Sequence, residues 1–261
     1  MELHIENNVL LGFKNDYMMK NGEPEYMRLV VPDTVTAIAD FAFDGCKEII
    51  GVTIPGSVKS IGEKAFFCCR NLREIVMEEG VKTIGDSAFE MGFFGNSLTL
   101  PNSMRSIGAY AFHDTSIHKL YMPEGLESIG PGAFYACHWL SSVSIPGTVK
   151  QLPENAFADC DELEEVIFSE GIQSIGAEAF SSCSHLAEVA FAEGLRRIEA
   201  NAFAECFVLT EIKLPKSLIY LDETAFRMCY EIEKVWLPEH LKDQAEAAFR
   251  DVYPEVEYIY Y

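Results

Sequence analysis

An Ala-Phe pair returns every 23 residues along most of the chain, at Phe43, Phe66, Phe89, Phe112, Phe134, Phe157, Phe180, Phe203, Phe226 and Phe249, with a single interval of 22. A period this short rules out an ordinary single-core domain, because one such unit cannot bury its own apolar face and must be covered by its neighbours. The unit reads approximately V-x-x-I-G-x-x-A-F-x-x-C-x-x-L-x-x-V-x-I-P, as from Val149 onward. It predicts a repeat solenoid that is mainly β, with one parallel sheet along the spine and short helical or irregular turns on the other side.

Each unit holds two short extended arms. In L-x-x-V-x-I the Val and Ile stand two apart, which in a strand sends both to one face and the residue between them to the other. Pro55, Pro101, Pro123, Pro146, Pro215 and Pro238 then end that arm. Ten coils at about 4.8 Å per strand make a body roughly 45 to 50 Å long. Gly62, Gly85, Gly108, Gly130 and Gly176 share a column that marks a turn where a side chain is hindered, although Ala39, Pro153, Glu199 and Asp222 fill it elsewhere.

The I-G-x-x-A-F-x-x-C-x-x-L-x-x-V-x-I-P unit, present from residue 28 to about 249, resembles the bacterial BspA-like class of leucine-rich repeats. That resemblance implies a parallel solenoid and a role in surface adhesion or partner binding. The Asn of longer leucine-rich patterns is absent, with Ser57, Gly80 and Gly171 in its place, and the cysteine column is expected to take over part of its work.

Solenoid ends expose open strand edges, so terminal segments are expected to act as caps. Residues 1–27 read as an N-terminal hairpin cap around an Asn7-Asn8 turn, 28–240 as the solenoid, and 241–261 as a closing partial repeat carrying Val256, Tyr258 and Tyr260. If the C-terminal edge stays open it favours self-association. Repeat three, Phe89 to Gly95, loses both the Cys and Leu columns, and repeat four is one residue short between His113 and His118.

With 41 acidic against 20 basic residues and a formal charge of -21, the chain repels phosphate backbones and anionic membranes. The first thirty residues show no secretory signal, and no apolar run nears the roughly 18 residues that cross a bilayer. By its residues alone the chain reads as cytoplasmic; the family resemblance implies the cell surface. Cys46, Cys69, Cys137, Cys160, Cys183, Cys206 and Cys229 occupy one column, which marks packing thiols, not a zinc site. Stacked cysteines about 4.8 Å apart lie within bridging range, while the cytoplasmic reading favours free thiols. Cys68 stands off the column as the candidate exposed thiol.

The six histidines share no column, and no phosphate-cradling loop or dinucleotide fingerprint occurs, so the chain reads as a non-enzyme without cofactor or metal. The outward column of the broad arm, Thr53, Val76, Thr99, Tyr121, Ser144, Ile167, Ala190, Lys213 and Trp236, is the expected recognition face, anchored by Tyr121, Ile167 and Trp236. Beside it Glu165, Glu188 and Glu211 form a negative stripe suited to a basic partner, or simply a solvated face. Lys59, Lys82, Arg105, Lys150 and Arg196 form a counter-stripe on the other arm. These features predict a scaffold for an extended or basic protein partner, with a glycan as the lesser choice. A self-assembling structural protein and a hydrolase-like activity near His113, Asp114 and His118 are the alternatives.

Overall fold

A computed structural model describes residues 2–13, 26–95, 97–250, 252 and 256–261. The chain winds as a β-solenoid whose coils meet along three hydrogen-bonded ladders. The broad ladder is the expected parallel sheet, built from strands such as Ile49–Ile54, Glu74–Met77, Lys119–Tyr121, Ser142–Ile145, Glu165–Phe168 and Lys234–Leu237. Its register is column on column: Val143 pairs with Val166, and Ser144 with Ile167. Among the described residues it falls into three blocks, with breaks before Ser97–Thr99 and before Glu211–Lys213.

The opposite side is more ordered than short irregular turns. A second parallel ladder joins two-residue strands, among them Ser60–Ile61, Thr83–Ile84, Ser174–Ile175 and Arg197–Ile198, each turning its Ile into the core. The Ala-Phe turns make the third ladder. The Phe66 amide donates to the Ala88 carbonyl at 2.7 Å, and Phe89 to Ala111, Phe157 to Ala179 and Phe180 to Ala202 at 2.8 Å. Non-glycine residues in the left-handed basin flank these turns in two columns, as Lys64 (φ 50°) with Cys68 (φ 53°) and Glu178 (φ 57°) with Ser182 (φ 61°). That conformation costs on the order of 1–2 kcal/mol per residue. It is offset because the left-handed amides themselves bond the next coil, Lys64 to Asp86 and Cys68 to Glu90, both at 2.9 Å.

Between the ladders the core is a continuous stack. The Phe rings from Phe66 to Phe226 are fully buried, and successive centroids lie 5.1 to 5.4 Å apart with planes within 8° of parallel. Only Ala fits beside them, since each Ala Cβ is trapped inside the turn at zero exposure. The Cys column lies next to this stack, and its thiols are free. Cys69, Cys137, Cys160, Cys183, Cys206 and Cys229 each aim Sγ at the Phe carbonyl of the preceding coil, at 3.0 to 3.4 Å. Each thiol thereby gives the Phe carbonyl of the preceding coil a donor from the next coil. Burial pushes the Cys69 and Cys183 thiols far above the ordinary thiol value, which keeps the donor proton in place.

The glycine column has a steric cause: a Cβ on Gly62 would stand 2.5 Å from the Asp40 backbone nitrogen. At the N-terminus Asn7 (φ 50°) and Asn8 (φ 64°) turn strand Leu3–Glu6 back onto Val9–Phe13, which extends the second ladder by pairing with Ala37–Ile38. The rest of the N-terminal cap reading, residues 14–25, lies outside the described residues. At the other end the short helix Lys242–Ala248 leads toward strand Glu257–Tyr260, which pairs with Lys234–Leu237.

Repeats three and four keep the core by shifting one position. Phe94, one residue before the Leu column, is buried edge-on against Phe89 and Phe112 at 5.9 and 6.3 Å, and Ile117 is buried in the same role. Thr115 stands in the Cys column, its hydroxyl donating to the Phe112 carbonyl at 2.8 Å. The displaced neighbour Phe93 is left turned out to solvent, 62% exposed.

Candidate binding surface

The broad sheet presents its outward column in register. Tyr121 is 55% exposed and pairs with Thr99; Ile167 is 40% exposed between Ser144 and Ala190. Such large apolar groups gain nothing from water, so each is available contact area. Tyr121 borders a shallow depression of about 550 Å³ with Val76, Thr99 and Glu79. Trp236 differs from its expected exposure: it is half-buried, paired with Ile259 of the end strand, with the Lys213 ammonium 4.9 Å from its ring centre. Its indole packs within the fold against the end strand and the Lys213 side chain.

The structure brings Glu165, Glu188 and Glu211 around one depression of about 610 Å³. Its floor is low because Ala187 and Ala190 supply no bulk there, and Lys213 is the cation on its rim. Glu165 and Glu188 are direct register partners, whereas Glu211 lies across the second break in the sheet. The stripe is therefore a pair plus a neighbour.

Of the basic column, Lys82 and Arg196 stand exposed, while the other three cations are tied back to the backbone. Lys59 and Lys150 donate to the Gly56 and Gly147 carbonyls three residues back, the latter at 2.8 Å, and Arg105 donates to the Asn102 carbonyl at 2.9 Å. These three cations lock the turn that follows their broad strand.

Carboxylates do similar work from the next column. Glu79 accepts from the Asn102 amide and side chain at 2.9 Å and the Ser103 amide at 3.1 Å; Glu193 accepts from the Lys216 and Ser217 amides at 3.0 and 3.1 Å. These bonds, led by the Asn102 and Lys216 amides, hold both carboxyls below the usual carboxylate range. A depressed folded pKa adds stability that is present at neutral pH and lost as pH falls through the folded value. Denaturation midpoints should therefore drop between pH 5 and pH 3, and Glu79→Gln should flatten that slope while lowering the midpoint at pH 7.

His113 and His118 do not converge. His113 faces Glu90 at 3.1 Å and lies against Tyr110 and Tyr135, while His118 bonds the Ser116 carbonyl at 3.0 Å and stacks on Trp139 at 5.6 Å. Asp114 spends its left-handed backbone on the turn ladder, donating to Tyr135. Cys68 is half-buried, as is Cys46, and its thiol points at the Met91 sulfur at 3.4 Å. Neither cysteine is a freely exposed thiol.

Where the periodicity breaks, the shifted repeats open a cleft of about 400 Å³, lined by Arg70, Arg73, Phe93, Phe94, Gly95, Ser116 and His118. It opens because Gly95 occupies the Leu column and Phe94 has moved inward. Among the described residues no helix is long and apolar enough to cross a membrane, and no cluster of side chains is arranged to hold a metal ion.

The model of the BspA type leucine rich repeat region, in six copies, matches residues 24–139, 94–206 and 151–259. The chain belongs to the BspA-type leucine-rich repeat family. Its fold is similar to that of a Treponema pallidum leucine rich repeat protein, 25% identical, TM-score 0.59, covering 72% of this chain and 88% of that one. A Bacteroides ovatus leucine-rich repeat protein is 21% identical, TM-score 0.55, over 100% and 97% of the two chains. The pneumococcal vaccine antigen PcpA is 20% identical, TM-score 0.55, over 92% and 68%. No curated protein sequence matches the chain. BspA-type repeats account for the columns described above, and the family's solenoids are typically scaffolds.

Proposed function

We propose that this BspA-type protein is a non-enzymatic scaffold that binds a protein partner across the broad sheet. The observation that carries the reading is the outward column itself, where Val76, Tyr121 and Ile167 stand exposed in positions that a purely solvated face would fill with polar groups. Their spread over four strand steps, about 19 Å, suits an extended segment. The depression around Glu165, Glu188 and Glu211 supplies complementary charge for basic residues of that segment. We take residues 1–27 and 241–261 as caps, and family membership supports an address at the cell surface.

Replacing the three carboxylates, Glu165→Gln/Glu188→Gln/Glu211→Gln, should weaken the captured partner about tenfold at low salt and much less at high salt. Unchanged binding at both salt concentrations removes the stripe from the interface. A self-assembling role is the second reading, carried by strand Glu257–Tyr260, whose outer edge pairs with no described strand. Light scattering that finds a monomer at every concentration rejects it.

A further inference from the structure

The cleft at the shifted repeats has a character opposite to that of the chain around it. On a protein with twice as many acids as bases, its lining holds two arginines and a histidine and no carboxylate. Of the eight arginines, Arg28, Arg105, Arg197 and Arg250 are each paired with a glutamate, and Arg196 and Arg227, which do not line the cleft, have no ion pair among the described residues. Arg70 and Arg73 have no carboxylate within ion-pair distance among the described residues; the Arg70 guanidinium meets only the Met91 sulfur, at 3.9 Å. Both side chains are exposed, and the Arg73 backbone is fixed between coils: its amide donates to the Ile50 carbonyl, and its carbonyl accepts from the Gly95 amide at 2.9 Å.

Flat apolar surfaces stand at the same place. Phe93 lines the cleft and is 62% exposed, and Trp139, 55% exposed, is stacked on the lining His118 at an interplanar angle of 23°. Phe93 shares the cleft lining with the two guanidinium groups, and Trp139 extends the aromatic surface from the far side of His118; such rings left in water are contact surface without a partner. Planar guanidinium forks match a carboxylate in bidentate geometry. Aromatic faces, negative at the ring centre, attract the polarised C–H groups on the face of a sugar ring. The volume of about 400 Å³ is the size of a small-ligand pocket, too small for a folded partner.

We propose that this cleft binds an acidic glycan, with a uronate carboxylate held by Arg70 and Arg73, its sugar ring resting on Phe93 and a further sugar of the same chain reaching Trp139 beyond His118. An acidic peptide would satisfy the arginines but would leave the aromatic faces unused. The site lies apart from the Glu165 to Glu211 depression, so it stands or falls separately from the protein-binding reading.

Calorimetric titration of the full chain with a trimer of galacturonic acid, the matching galactose trimer and a tripeptide of glutamate tests the assignment. Saturable binding of the galacturonate trimer is expected, at least about tenfold tighter than the galactose trimer or the peptide. Arg70→Gln/Arg73→Gln should lose about tenfold or more, Arg73→Lys less because charge survives without the fork. Phe93→Ala/Trp139→Ala should lose a similar factor, and Tyr121→Ala/Ile167→Ala should bind as wild type; circular dichroism checks that each variant stays folded. Absence of saturable binding, equal affinity for the neutral trimer, equal affinity for the peptide, or indifference to the aromatic pair would each overturn the proposal.

Discussion

Phe157→Ala should lower the free energy of unfolding by about 3 to 5 kcal/mol, the cost of deleting a fully buried aromatic ring and leaving most of its cavity open. The ring has zero exposure and is sandwiched between Phe134 at 5.1 Å and Phe180 at 5.4 Å, both nearly parallel to it. Relaxation is limited because the backbone on each side is pinned: the Phe157 amide bonds Ala179, and its carbonyl receives the Cys183 thiol at 3.2 Å. In a stacked array stability is roughly a sum of unit and interface terms. The loss should therefore appear as splitting of the denaturation curve into two transitions as well as a lower midpoint. A loss under about 1 kcal/mol would mean that the Phe column is not what joins the coils.

Cys183→Asp should be at least as damaging. The position is fully buried, and its one polar task is to donate to the Phe157 carbonyl. A carboxylate there would face an oxygen instead of a donor, and an uncompensated buried charge costs about 3–5 kcal/mol. Protonation restores a donor, so the variant's folded carboxyl pKa must be raised. Its penalty is then largest above that value and shrinks as pH falls toward the ordinary carboxylate range. Cys183→Ser, which keeps a donor at this position on a shorter bond, should cost only about 1 kcal/mol. Equal losses for Asp and Ser, measured by guanidinium denaturation at pH 7, would show that packing and not the hydrogen bond governs this column.

The architecture was legible because each core column carries a side chain that announces its environment. Phe, Ala, Cys and Leu recur at fixed offsets, and Asn7-Asn8 marks a left-handed turn by residue type. The third ladder left only a broken mark. Gly132, Asn155 and Asn201 suit its left-handed positions, but Lys64, Ser87, Tyr110 and Glu178 fill the same column, residues with little preference for that basin that adopt it because the inter-coil bonds over-determine the turn. The basic column misled for a related reason: Lys59, Arg105 and Lys150 look like an open charged face in one dimension, and their reach back to a carbonyl three residues earlier shows only in three.

Of the outward column, Tyr121 and Ile167 could be placed from strand alternation alone, and both are exposed as expected. Trp236 could not, because its burial depends on the end strand and on Lys213 across the register. The cleft was signalled only as broken periodicity at Gly92 to Gly95 and His113 to His118. Its arginines come from repeat two and its exposed ring from repeat three, so coil stacking was needed to bring them together.

The most direct test of sheet-face recognition is partner capture from native lysate and culture surface, comparing wild type with a folded Tyr121→Ala/Ile167→Ala/Trp236→Ala variant. A partner retained by wild type and lost by the variant is the predicted result. Equal capture by both proteins would contradict it and move recognition to another face of the solenoid.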